Sequence, residues 1–125
     1  MRTTIFTENG REHLLCFNPW AQREFLARYG GIENINDKLN EGSTVDMMNE
    51  AVWMLSTLIM AGDKYAKLEG IPNARTFTAE ELLIVCDLED FANMRNTIHK
   101  TLIDSSKREV NTKAENQGNA KTTQN

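Results

Sequence analysis

Cysteine, proline and histidine each occur only twice in these 125 residues, and aromatic residues make up 7% of the chain. Each scarcity removes something. Cys16 and Cys86 are too few and too far apart for a zinc knuckle or a disulfide scaffold, and neither His13 nor His99 belongs to a metal-spacing motif. Both cysteines lie in apolar stretches, LLCF and LIVCDL, so they read as two buried thiols of a reducing compartment, with a Cys16–Cys86 disulfide left open. The two histidines read as surface or edge residues. No phosphate-binding glycine loop, G-x-S-x-G elbow or calcium loop is present. No apolar run reaches the ~20 residues that a membrane span needs, and MRTTIFTENG contains no signal-peptide core.

Positive charge is also in short supply. The net charge is -4 and the pI near 5.2, with the acidic excess before residue 107 and a basic excess after it. A chain of this kind is a poor ligand for nucleic acid phosphates. Glycines 30 and 31 join two helical patterns, but the second, IENINDKL, offers no basic recognition face. The carboxylates Glu80, Glu81, Asp87, Glu89 and Asp90 stand at two helix starts, where they complement the helix dipole and do not form an acid–base pair. No enzyme, no cofactor and no metal site is expected.

What the chain does contain is helix, with one hairpin before it. Asn9-Gly10 between two β-prone stretches predicts a hairpin over about residues 3–17. Asn18-Pro19 starts a first helix that Gly30-Gly31 stops, and Ile32–Leu39 forms a short second one. Ser43 or Thr44 caps a long helix running to Glu69, with Gly62 a weak point of about 1 kcal/mol. Thr78-Ala79-Glu80-Glu81 is a capping box, and Asp87 caps the last helix. The fold class is mainly α: four to five helices around a long central helix, in one domain over residues 1–105. Residues 106–125 are polar and aperiodic, which predicts a disordered tail.

Within the central helix, Ala51–Ala61 has only Ser56 and Thr57 as polar members. Met48, Val52, Leu55 and Ile59 make one stripe, extended by Met47, Met54, Leu58 and Tyr65, and point to the core. Trp53 and Met60 lie off that stripe, so a second apolar side needs a cover. Methionines suit surfaces that adapt to partners. Trp53, Met60 and Met54, with Trp20 and Tyr29 nearby or at a self-association seam, are the candidate partner-binding residues.

Together these pieces resemble the small tail assembly chaperones of long-tailed bacteriophages and prophages of Gram-positive hosts. The matching segments are FNPWAQREFLARYGGI (Phe17–Ile32), VWMLSTLIMAGDKYAKLEG (Val52–Gly70), TAEELL (Thr78–Leu83) and KREV (Lys107–Val110), so the resemblance covers most of residues 3–110. One departure is Ala61, where such chaperones often carry Gln before the central glycine. The resemblance implies a non-catalytic protein of the host cell cytoplasm, missing from the mature virion. It implies binding to the tape measure protein, which is kept soluble while the major tail tube protein polymerises around it. In several relatives a frameshifted longer form recruits the tube subunit. A homo-oligomer is compatible with this role, and neither nucleic acid nor membrane enters it. Two rival readings are a structural tail or head–tail connector subunit retained in the particle and a host-directed regulator.

Overall fold

The computed structural model describes residues 2–118, with side-chain environments up to residue 103. The chain is mainly α, as its periodicity predicts, with five helices and one two-stranded antiparallel hairpin among the described residues. Strands β1 (Thr4–Glu8) and β2 (Arg11–Leu15) are joined by Asn9 and Gly10. Both turn residues have positive φ, 48° and 77°, the left-handed pair that matches the twist of a two-residue hairpin.

That turn fixes the register from Glu8↔Arg11 to Thr4↔Leu15. Side chains alternate across a strand, so Thr4, Phe6, Glu8, His13 and Leu15 all face inward and are buried. His13 is therefore not the surface or edge residue its sequence neighbours suggested. The register sets it opposite Phe6, with 0% exposure.

Two of these buried side chains, Glu8 and His13, are ionisable and find each other. Arg11 donates from Nε and Nη2 to the two carboxylate oxygens of Glu8, both at 2.7 Å. Asn9 Nδ2 adds a bond of 3.2 Å. His13 Nε2 lies 2.7 Å from Oε2 of Glu8. A carboxylate only accepts, so His13 carries its proton on Nε2, and its buried Nδ1 has no partner among the described residues. The Arg11 hydrogen bonds, reinforced by His13 and Asn9, outweigh desolvation and hold the Glu8 carboxyl at about 2. Phe77 closes the group from outside, its ring edge-on to His13 and beneath the guanidinium of Arg11.

The five helices begin and end largely where their caps predict. Asn18 Oδ1 accepts from Ala21 N at 2.9 Å to open α1 (Pro19–Tyr29), which stops at Gly30. After α2 (Ile32–Asn40), Ser43 Oγ opens α3 (Thr44–Glu69) through Asp46 N. Thr78 and Glu81 form a reciprocal capping box on α4 (Ala79–Val85), and the Thr78 backbone N–H holds the Glu81 carboxyl below its usual range. Asp87 and Asp90 exchange the same pair of bonds at the start of α5 (Leu88–Gly118). Helix α5 corrects one expectation: its backbone continues helical to Gly118, through most of the segment read as a disordered tail. From Ile103 to Gln117 no proline or glycine interrupts it, so no helix-breaking residue stands in its way before Gly118. Residues 119–125 of that tail lie outside the described residues.

Helix α3 is the centre, touching α1, α2, α4, α5 and β2. Val52, Leu55 and Ile59 are buried as the stripe predicts, while Met48 is only half-buried. Cys16 is buried and Cys86 half-buried, both free thiols. Among the described residues no helix is long and apolar enough to cross a membrane.

The contact between α3 and β2 overturns the reading of Gly62 as a weak point. A Cβ at position 62 would lie 1.8 Å from the Leu14 carbonyl oxygen and 2.4 Å from its carbon. Only a glycine lets the helix backbone approach the strand backbone this closely. The neighbouring Asn73 accepts the Leu14 N–H at 2.9 Å and reaches Asp63 from its amide nitrogen, so strand and helix are joined on both sides of the contact.

Two expectations follow. On helix propensity alone Gly62→Ala should stabilise the chain by about 1 kcal/mol; the packing reverses the sign, to a loss of about 3 kcal/mol or more in urea unfolding. A gain in stability would refute the backbone contact. The second concerns acid. Glu8 has a lower pKa folded than unfolded, so its contribution is complete above the ordinary carboxylate value of 4.5 and is lost as pH falls towards about 2. The stability difference between the wild type and Glu8→Gln should therefore shrink between those two values, as followed by denaturation at stepped pH. A difference that stays constant through this window contradicts the ion pair.

Candidate protein-binding site

The Trp53 part of the second apolar side of α3 is covered from within the chain. Trp53 is half-buried with its ring edge-on to Phe25 (centroids 5.3 Å apart) and to Tyr29 (5.6 Å). The Arg28 guanidinium lies 4.5 Å above the same ring, close enough for cation–π attraction. Glu50 anchors this arrangement: it accepts from the Tyr29 hydroxyl at 2.7 Å and from Arg28 Nε at 3.4 Å. Burial, then the hydrogen bond to Glu50, pushes the Tyr29 phenol well above its ordinary value. Helix α1 thus supplies the cover that the sequence demanded.

The five candidate residues do not form one surface. Trp53 and Tyr29 belong to the α1–α3 seam. Trp20 sits further along α1 beneath Lys64, whose Nζ is 5.2 Å from the ring centre. Met54 is fully buried in the core, because the same helical turn that exposes one flank of α3 turns position 54 towards the domain interior. Met60 alone reaches solvent substantially, at 37%. With Met54 buried, the five share no exposed face.

Open apolar surface lies elsewhere. The first turns of α3 and α5 flank a groove of about 220 Å³ lined by Met47, Met48, Ala51, Leu88 and Phe91, with Arg95 at its margin. Leu88, at the first position of α5, is 84% exposed. Val45, beside the groove residue Thr44, is exposed too. A smaller apolar recess of about 170 Å³ lies between Ile32, Leu39, Leu102 and Ile103. A larger cleft, about 440 Å³ beside Arg28, Asp37, Lys38 and Glu41, mixes charges of both signs.

Sequence reasoning missed the groove because it searched the middle of α3 and not its start. Two signals were available. Met47 and Met48 precede the continuous apolar run, and Leu88 follows a capping Asp at a position usually left to polar residues. The acidic groups Glu80, Glu81, Asp87, Glu89 and Asp90 occupy helix starts, as their spacing suggested. Among the described residues no three His, Cys, Asp or Glu side chains are grouped to hold a metal ion. Burial, then the nearby Asp90 carboxylate, pushes the Cys86 thiol up to about 11, so it is a poor nucleophile at neutral pH. Comparison with protein-family models, curated proteins and solved structures gave no match.

Removing the Arg28 cover should be visible directly. With Trp20→Phe leaving Trp53 as the single tryptophan, Arg28→Ala is expected to red-shift the emission of Trp53 and to reduce stability by about 1 kcal/mol. Unchanged emission would mean that Arg28 does not shield the indole.

Proposed function

We propose that this protein is a non-catalytic assembly chaperone of phage tails, and that the groove between α3 and α5 receives its client. The reading rests on the groove itself: two flexible methionines, a phenylalanine and an almost fully exposed leucine around one apolar trough. A trough of this shape suits an amphipathic helix laid in by its apolar face. Thioether side chains adjust to varied partners at little cost. A tape measure protein before assembly has long helical apolar faces of that kind, which aggregate unless covered.

In this reading the chaperone keeps the tape measure protein soluble in the host cytoplasm. The major tail tube protein then assembles around it, through the chaperone or a longer form of it, and the chaperone departs before the virion is complete. The client surface is the groove, and Trp53 acts in the α1–α3 seam instead of in the interface. A retained tail or connector subunit is the rival reading, and its presence in purified particles distinguishes it.

Co-expression with the tape measure protein supplies the test. Leu88→Asp combined with Met47→Ser places polar groups in the groove without touching the buried core. Soluble tape measure protein is expected to fall at least tenfold, with the circular dichroism of the variant unchanged. Met60→Ser, on the far flank, should leave client solubility as it was. If the groove variant keeps the client soluble, the assignment fails.

A further inference from the structure

The hairpin's two edges are finished differently. With Glu8↔Arg11 as the pair that closes the turn, Glu12 and Leu14 on β2 and Ile5 and Thr7 on β1 direct their backbone N–H and C=O away from the ladder. On β2 that edge is occupied at Leu14 and carries the exposed, charged Glu12. The Leu14 N–H bonds to Asn73 and its carbonyl lies against Gly62. On β1 the outward groups of Ile5 and Thr7 meet no partner among the described residues. Helix α5 hydrogen-bonds to β1 from the inner face, where the Thr4 hydroxyl meets that of Thr101.

Natural edge strands are normally blunted by lysine, proline or a bulge. β1 has none of these: its register is continuous and its sequence is TIFTE. Its outer face is Thr3, Ile5 and Thr7, all exposed, with Ile5 at 50%. That face is uncharged and reads the same in both directions about Ile5.

We propose that β1 is the docking edge for a second copy of this chain, two β1 strands pairing antiparallel about a two-fold axis at Ile5 to give a four-stranded sheet. In this register Ile5 faces Ile5 of the partner subunit, and Thr3 faces Thr7 of the partner subunit. Threonine pairs and β-branched pairs are favourable cross-strand neighbours. The exposed Arg2 of each copy stands at the end of the seam, outside the uncharged face of Thr3, Ile5 and Thr7. About six inter-chain hydrogen bonds form. A two-stranded sheet is marginal by itself, and pairing relieves it of one open edge in each copy. An isologous contact of this kind closes after two subunits and does not propagate. The inference is independent of the proposed client groove.

Sedimentation equilibrium of the full chain over a wide concentration range tests it. A monomer–dimer equilibrium is expected. Ile5→Lys places two ammonium groups face to face on the axis and should weaken dimerisation at least tenfold, with the thermal midpoint of the dilute protein unchanged. As a second route, Ile5→Cys with Cys86→Ala should give a covalent dimer on mild oxidation, because paired Cα atoms about 5.5 Å apart lie within disulfide reach. Glu12→Cys on β2, in the same background, should give no covalent dimer. A monomer at every concentration overturns the proposal. So does a dimer that Ile5→Lys leaves intact and Ile5→Cys does not cross-link.

Discussion

The fold is organised by one backbone-to-backbone contact, α3 at Gly62 against β2 at Leu14. The Leu14 carbonyl points out of the edge of β2 and towards the helix. At the contact point a hydrogen in place of a methyl group lets the two backbones touch. Everything near the hairpin takes its position from that approach. Asn73 can bridge Leu14 and Asp63 because strand and helix are so close. Ser56 bonds the Phe77 carbonyl from the same helix, which carries Phe77 onto the Glu8–His13 pair. The remaining length of α3 is then free to bury Val52, Leu55 and Ile59 against the other helices.

The buried ionic group at the turn is best understood as a register device. Burying a carboxylate is costly unless its oxygens are satisfied. Glu8 receives bonds from Arg11, His13 and Asn9, all of them within the hairpin. A slip of one residue would move Glu8 and His13 to the outer face and bring Ile5 and Thr7 inward. The cluster is complete in one register only. Such networks are weak evidence for net stability and better evidence for uniqueness.

Local signals were legible in the sequence to the extent that they act locally. Asn9-Gly10, Asn18-Pro19, Ser43, the Thr78 box and Asp87 each satisfy backbone groups within a few residues, and each formed as its chemistry dictates. What could not be read depended on partners far along the chain. His13 looked like an edge residue because its burial is decided by Phe77 and α3, not by its strand neighbours. Gly62 looked like a defect because helix propensity counts entropy and ignores the strand above. The excess apolar surface of Ala51–Ala61 was real, but its cover is α1, through Arg28, Phe25 and Tyr29. The five candidate residues are not brought together for the same reason: a helical wheel gives the faces of α3 and cannot tell which of them α1 occupies.

The bond between Thr4 and Thr101 joins residues 97 positions apart, and Asn9 reaches the Val85 carbonyl across 76. Strand β1 is therefore completed by helix α5, which is synthesised much later. During synthesis the hairpin has its turn chemistry but neither α3 nor α5 beneath it, and its inner face, with Phe6 and Leu15, stays in water. Contacts of such long loop closure form late and slow the search for the native state. A chain built this way passes through an interval in which it has the same need for shelter that its proposed client has.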